Sequence, residues 1–116
     1  MAPVEPQVDG TPKSSRELKA ELMDRSCKSR LIGGTIVAYT SHSNPEETLR
    51  DTIKRVEHGQ GRLKITTYRG RLLDICLLDA DTELKEERGV IRIDCWPIEC
   101  FAVAAKGVEI PRQAQS

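Results

Sequence analysis

Apolar and polar positions along this chain change spacing several times, and each change marks an element. Leu18, Leu22 and Met23 recur at helical spacing, with Cys27 one turn further on. Ser14 followed by Glu17 has the form of a capping box, in which each side chain bonds the other's backbone N–H. A helix from about Ser15 to Lys28 is expected, amphipathic and of mixed charge. LIGGTIVAYTS, residues 31–41, is β-branched behind a glycine pair and reads as a buried strand with a bulge at Gly33–Gly34. Asn44–Pro45–Glu46–Glu47 then looks like a helix start, with Asn44 as cap, Pro45 in the first turn and Glu47 completing the box. Leu49, Ile53 and Val56 share one helical face, and Glu46–Arg50 and Asp51–Arg55 fall at i,i+4. A second helix, ending at His58–Gly59, follows from that pattern.

RLKITTYRGRLLDICLLDAD, residues 62–81, alternates as a hairpin does. A two-residue turn would put Asp74 on the apolar face. A three-residue loop, Tyr68–Arg69–Gly70, instead places Gly70 at the left-handed position such loops require. It aligns Leu63, Ile65 and Thr67 with Leu73, Ile75 and Leu77, and sets Lys64 opposite Asp74 as a favourable cross-strand pair. DADTELKEER, residues 79–88, is acidic and reads as a loop with at most one helical turn. GVIRIDC, residues 89–95, alternates as a strand. Residues 97–106 leave both forms open: Pro97 and Glu99 suit a short helix, whereas Phe101 and Val103 tip the balance to a final strand.

Composition narrows the function classes. Eighteen basic and eighteen acidic residues give net zero charge, so the bulk offers no electrostatic case for nucleic acid or a membrane surface. Tyr39, Tyr68, Trp96 and Phe101 are the only aromatics, too few for a stacking platform. No apolar run approaches the ~20 residues of a membrane span, and the N-terminus has neither a secretory h-region nor transit-peptide character. A cytoplasmic or nuclear protein is expected, with its four cysteines reduced and packed as small hydrophobes. Residues 1–15 hold three prolines and two serines and read as a flexible tail, as do 111–116, leaving 16–110 as one domain.

No cofactor or metal site survives inspection of spacing. Cys27, Cys76, Cys95 and Cys100 contain no C-x-x-C pair. Asp79-x-Asp81-x-Glu83 opens like a calcium loop, but Leu84 and Val90 stand where its glycine and final acid belong. Gly33–Gly34 precede neither a lysine nor a helix start, so they form no phosphate loop. A small enzyme would need His42 or His58 to meet a thiol in space, with Cys95 or Cys100 carrying a depressed pKa. Charge is nevertheless segregated: Arg62, Lys64, Arg69 and Arg71 make the hairpin basic, while Asp79, Asp81, Glu83, Glu86 and Glu87 follow it.

The predicted helix followed by LKITTYRGRLLDICLLDAD resembles the opening of the Sm and Sm-like fold, and RGVIRI, residues 88–93, is similar to that family's second motif. The resemblance implies a degenerate member. In it Asp79 or Asp81 matches the loop acid, Arg88 matches an RNA-contacting arginine, and assembly with other proteins replaces RNA reading. The fold expected is α+β: a small antiparallel sheet of four or five strands, with an open Sm- or SH3-like barrel as one form it could take, and two flanking helices. The function expected is a non-catalytic binding or assembly subunit. It would meet a protein partner or a second copy of itself through its N-terminal helix and charged hairpin. RNA contact by Arg62, Lys64, Arg69, Arg71 and Arg88 is the alternative.

Overall fold

The computed structural model describes residues 13–40, 46–95 and 99–112. The first helix forms where the spacing places it, but in two pieces. α1 (Ser15–Met23) is capped reciprocally, Glu17 N–H to Ser14 Oγ at 3.1 Å and Ser14 N–H to Glu17 Oε1 at 2.8 Å. It stops at Asp24, whose extended backbone ends the turn, and the chain restarts as α2 (Cys27–Leu31).

Seven strands follow among the described residues: β1 (Thr35–Tyr39), β2 (Glu47–Gly59), β3 (Arg62–Thr67), β4 (Leu72–Cys76), β5 (Thr82–Glu87), β6 (Val90–Cys95) and β7 (Glu99–Ala104). They make one open antiparallel sheet in the order β4-β3-β2-β1-β7-β6-β5. The expected α+β domain with a four- or five-stranded sheet and two full flanking helices is therefore corrected to a larger sheet with two short helices.

Two misread elements account for the difference. The predicted second helix is β2; its proposed caps, Asn44 and Pro45, lie outside the described residues. Leu49, Ile53 and Val56 are spaced four and then three apart, which fits a helical stripe. A strand with one extra residue inserted fits equally well. β2 has that insertion: Ile53 faces Thr67 while Arg55 faces Thr66, so two residues advance against one and Val56 returns to the inner face. A second irregularity, with Tyr39 opposite Glu47 and Ala38 opposite Leu49, puts Glu47 and Arg50 on the same outer face. The predicted acidic loop is β5. Thr82 and Leu84 turn inward while Glu83, Lys85 and Glu87 stay exposed, an alternation too weakly apolar to stand out in the sequence.

The hairpin keeps its expected register. Lys64 faces Asp74, Leu63 faces Ile75 and Ile65 faces Leu73, and Gly70 is left-handed at φ 86. One core lies between the helices and the inner face of the sheet, formed by Leu18, Leu22, Cys27 and Leu31 against Ile36, Ile53, Leu63, Ile75, Ile93 and Phe101 among others. A smaller cluster on the outer face joins Val37, Tyr39, Cys100 and Ala102 to Val108 and Ile110. The C-terminal segment is fastened over it. Arg50 donates to both Glu47 carboxylate oxygens, at 2.9 and 2.8 Å, and to the Ile110 carbonyl at 2.9 Å. Arg112 reaches the same carboxylate at 3.1 Å.

Candidate functional site

The four basic hairpin residues lie on β3 and the loop that leads into β4, the last strand on its side of the sheet. On the outer face Glu57, Lys64 and Asp74 stand in one row, acid, base, acid. Arg62 donates to Asp74 Oδ1 at 3.1 Å between two exposed side chains. Such pairs contribute little stability, but they neutralise this stretch. The basic excess therefore concentrates at the tip, where Arg69 and Arg71 are exposed beside Tyr68. Lys54 Nζ lies 6.0 Å from the Tyr68 ring centroid, at the outer reach of a cation–π contact.

The tip is tied down at its base. Asp51 Oδ2 accepts from Arg69 N–H at 3.0 Å and its Oδ1 from Thr52 N–H at 2.7 Å. Burial alone would raise the Asp51 pKa. Hydrogen bonds from the Thr67 hydroxyl and from the Thr52 and Arg69 N–H groups outweigh it and hold the carboxyl below its usual range. Thr67 Oγ1 in turn accepts from Arg71 N–H at 3.1 Å. The guanidinium groups thus project from an anchored backbone.

Arg88 is elsewhere. It sits in the turn between β5 and β6 with φ 55. Asp79 and Asp81 occupy the turn before β5, where Asp79 Oδ1 accepts from Asp81 N–H at 2.9 Å. The acid and the arginine singled out by the Sm resemblance lie at opposite ends of one strand.

The sequence missed what surrounds the hairpin. β4 has no neighbour on its outer side among the described residues. Leu72 is 61% exposed on that edge, and Leu78 is 67% exposed just beyond it. The signal was present: successive strand residues face opposite ways, so one leucine of Leu72–Leu73 had to point outward. Leu78 and Met23 also flank a shallow groove of about 440 Å³ beside α1, rimmed by Arg16, Lys19 and Glu83.

His42 lies outside the described residues, but His58 does meet a thiol. Its Nε2 is 2.7 Å from the Leu22 carbonyl and 3.5 Å from Cys27 Sγ. The carbonyl can only accept, so Nε2 carries the proton, which assigns the tautomer. The base nitrogen is then Nδ1, buried without a partner, and it is not the nitrogen beside the thiol. Cys27 is shut from solvent, and burial raises its pKa. A nucleophile needs access and a lowered pKa, so this pair serves as a tie between β2 and the end of α1. Cys100 shifts the same way: burial, with Asp94 beside it, lifts its pKa from 9.0 to about 12. Burial likewise raises Tyr39. Folded-state values above unfolded ones give stability that is complete below the unfolded pKa and lost above it. Unfolding by urea should therefore become easier as pH climbs from about 9 towards about 12, and Cys100→Ala should flatten that fall.

None of the four cysteines is in a disulfide. No group of three or more His, Cys, Asp or Glu residues could hold a metal ion among the described residues, and no helix there is long and apolar enough to cross a membrane. No protein-family model, curated protein or solved structure matches the chain.

Proposed function

We propose that this protein is a non-catalytic binding or assembly subunit that docks a protein partner on the open side of its charged hairpin, with the exposed face of α1 alongside. The observation that carries the reading is the uncovered β4 edge with Leu72 exposed on it. A row of unpaired backbone groups is a template for another strand, and strand addition is a recurring mode of protein recognition. Four cysteines without a disulfide suit a reducing cytoplasmic or nuclear setting.

RNA contact is the second reading, favoured by one observation: Tyr68 stands exposed among Arg69, Arg71 and Lys54 at a single tip. Arg69→Glu with Arg71→Glu should leave stability within about 1 kcal/mol, since both side chains are exposed. Capture of partners from extract by this variant and by Leu72→Lys, with and without ribonuclease, separates the two readings. A protein partner survives ribonuclease and is lost with Leu72→Lys. An RNA partner is lost with ribonuclease, weakens steeply as salt rises and tolerates the change at Leu72.

A further inference from the structure

The direction of the backbone groups on β4 decides what this edge can hold. Thr67 N–H donates to the Arg71 carbonyl at 2.9 Å and Leu77 N–H to the Gly61 carbonyl at 2.8 Å. Alternation along the antiparallel ladder turns positions 71, 73, 75 and 77 towards β3. Leu72, Asp74 and Cys76 therefore point their N–H and C=O groups off the sheet. The Cys76 carbonyl is already occupied, accepting from Thr82 Oγ1 at 3.0 Å, so the open stretch is the part around Leu72 and Asp74.

The opposite edge of the sheet is engaged over its first half. On β5 the Thr82 N–H donates to the Asp79 carbonyl at 3.0 Å, and the Leu84 N–H to Ser15 Oγ of α1 at 2.9 Å. Head-to-tail addition of copies would need two open edges, and β4 is the more open of the two. One open edge against another of its own kind gives a closed pair instead.

The geometry points to a homodimer in which β4 of one copy pairs antiparallel with β4 of a second copy about a two-fold axis at Leu72. This inference rests on the reading of β4 as the docking edge and names its occupant. Charge selects the register. An axis at Asp74 would set two carboxylates opposite each other, and one at Leu73 would set Leu72 against the second copy's Asp74. With the axis at Leu72, the two exposed leucines face one another and exchange both backbone bonds. Asp74 then lies opposite Gly70 of the second copy. Cys76, whose carbonyl is occupied, falls beyond the paired stretch. Each copy thus brings Asp74, whose Oδ1 accepts from its own Arg62, beside the second copy's Arg69, while Arg71, in step with Leu73 and Ile75, lies on the other face.

Sedimentation equilibrium of the purified full chain tests this, with a dimer that dissociates on dilution as the expected result. Leu72→Lys should be monomeric with an unchanged circular dichroism spectrum. Arg69→Glu with Arg71→Glu should weaken the dimer at least about tenfold, because like charges then meet at Asp74. In a Cys76→Ser background, Leu72→Cys should form an intermolecular disulfide under mild oxidation. Directly opposed Cα atoms in a hydrogen-bonded pair are about 5.5 Å apart, within disulfide range. A wild-type chain that stays monomeric at every concentration, or a dimer indifferent to Leu72→Lys, overturns the self-pairing. If the monomer still loses a captured protein partner on Leu72→Lys, only the occupant is wrong. If Leu72→Lys retains every captured partner, the docking reading itself fails.

Discussion

Replacing Gly34 by alanine is expected to cost the domain more than about 4 kcal/mol, in the extreme tail of single substitutions, or to prevent folding outright. A Cβ at this position would lie 2.0 Å from the Ala104 carbonyl oxygen, 3.0 Å from the Leu31 carbonyl oxygen and 3.1 Å from the Ala104 carbonyl carbon. All three are backbone atoms, so no side-chain rotation relieves the overlap and β7 itself would have to move away. Gly34 is also fixed from both sides: its N–H donates to Leu31 at 2.8 Å and its carbonyl accepts from Ile53 N–H at 2.8 Å. Shifting it therefore disturbs the end of α2 and the start of the β1–β2 pairing together. Urea unfolding followed by circular dichroism checks this. A midpoint close to that of the wild type would show that β7 yields more easily than its pairing implies.

Ile75→Ala should cost about 2–5 kcal/mol, because it removes a branched side chain from full burial and leaves a cavity that a small core closes only in part. Ile75 is 0% exposed and packs in the cluster that joins the hairpin to α1 and α2. Three residues earlier on the same strand, Leu72→Ala should change stability by no more than about 0.5 kcal/mol, since that leucine stands in solvent in the monomer. The two substitutions remove similar amounts of hydrocarbon from one five-residue strand. Chemical denaturation of both variants, measured dilute enough to keep the chain monomeric, isolates burial as the cause. Equal losses would contradict the inward and outward alternation of β4.

That alternation is legible in the sequence alone. The hairpin register followed from one glycine, one loop length and a lysine–aspartate pair, all local constraints that tertiary packing had no reason to override. The capping box at Ser14 and Glu17 was legible for the same reason. β2 was not, because its apolar positions satisfy two periods at once. Glu46–Arg50 and Asp51–Arg55 add helical support of only a few tenths of a kcal/mol per pair, which partners on both sides of a long strand outweigh. β5 was missed because it lies at the sheet margin with α1 across it. One leucine and one threonine satisfy its inner face, and its carboxylates meet water. For the candidate site, the basic residues and the Lys64–Asp74 pair could be named from the sequence, but not the Glu57 that flanks Lys64 from β2. Nor could the sequence say that Arg88 would stand far from the hairpin. Both facts depend on which strands become neighbours.

The pairing of β1 with β7, Thr35 opposite Ala104 and Tyr39 opposite Cys100, bears on how the domain is made. Every other adjacent pair in the sheet joins consecutive strands and can zip from its own turn. This one waits for a long loop to close, and such non-local contacts slow folding. On the ribosome β1 emerges early, with Ile36 and Val37 destined for full burial, yet one of its sides has no partner until the last strand is released. For that interval the nascent chain carries β1 as an apolar edge strand, so synthesis rate and chaperone supply should influence the yield of native protein.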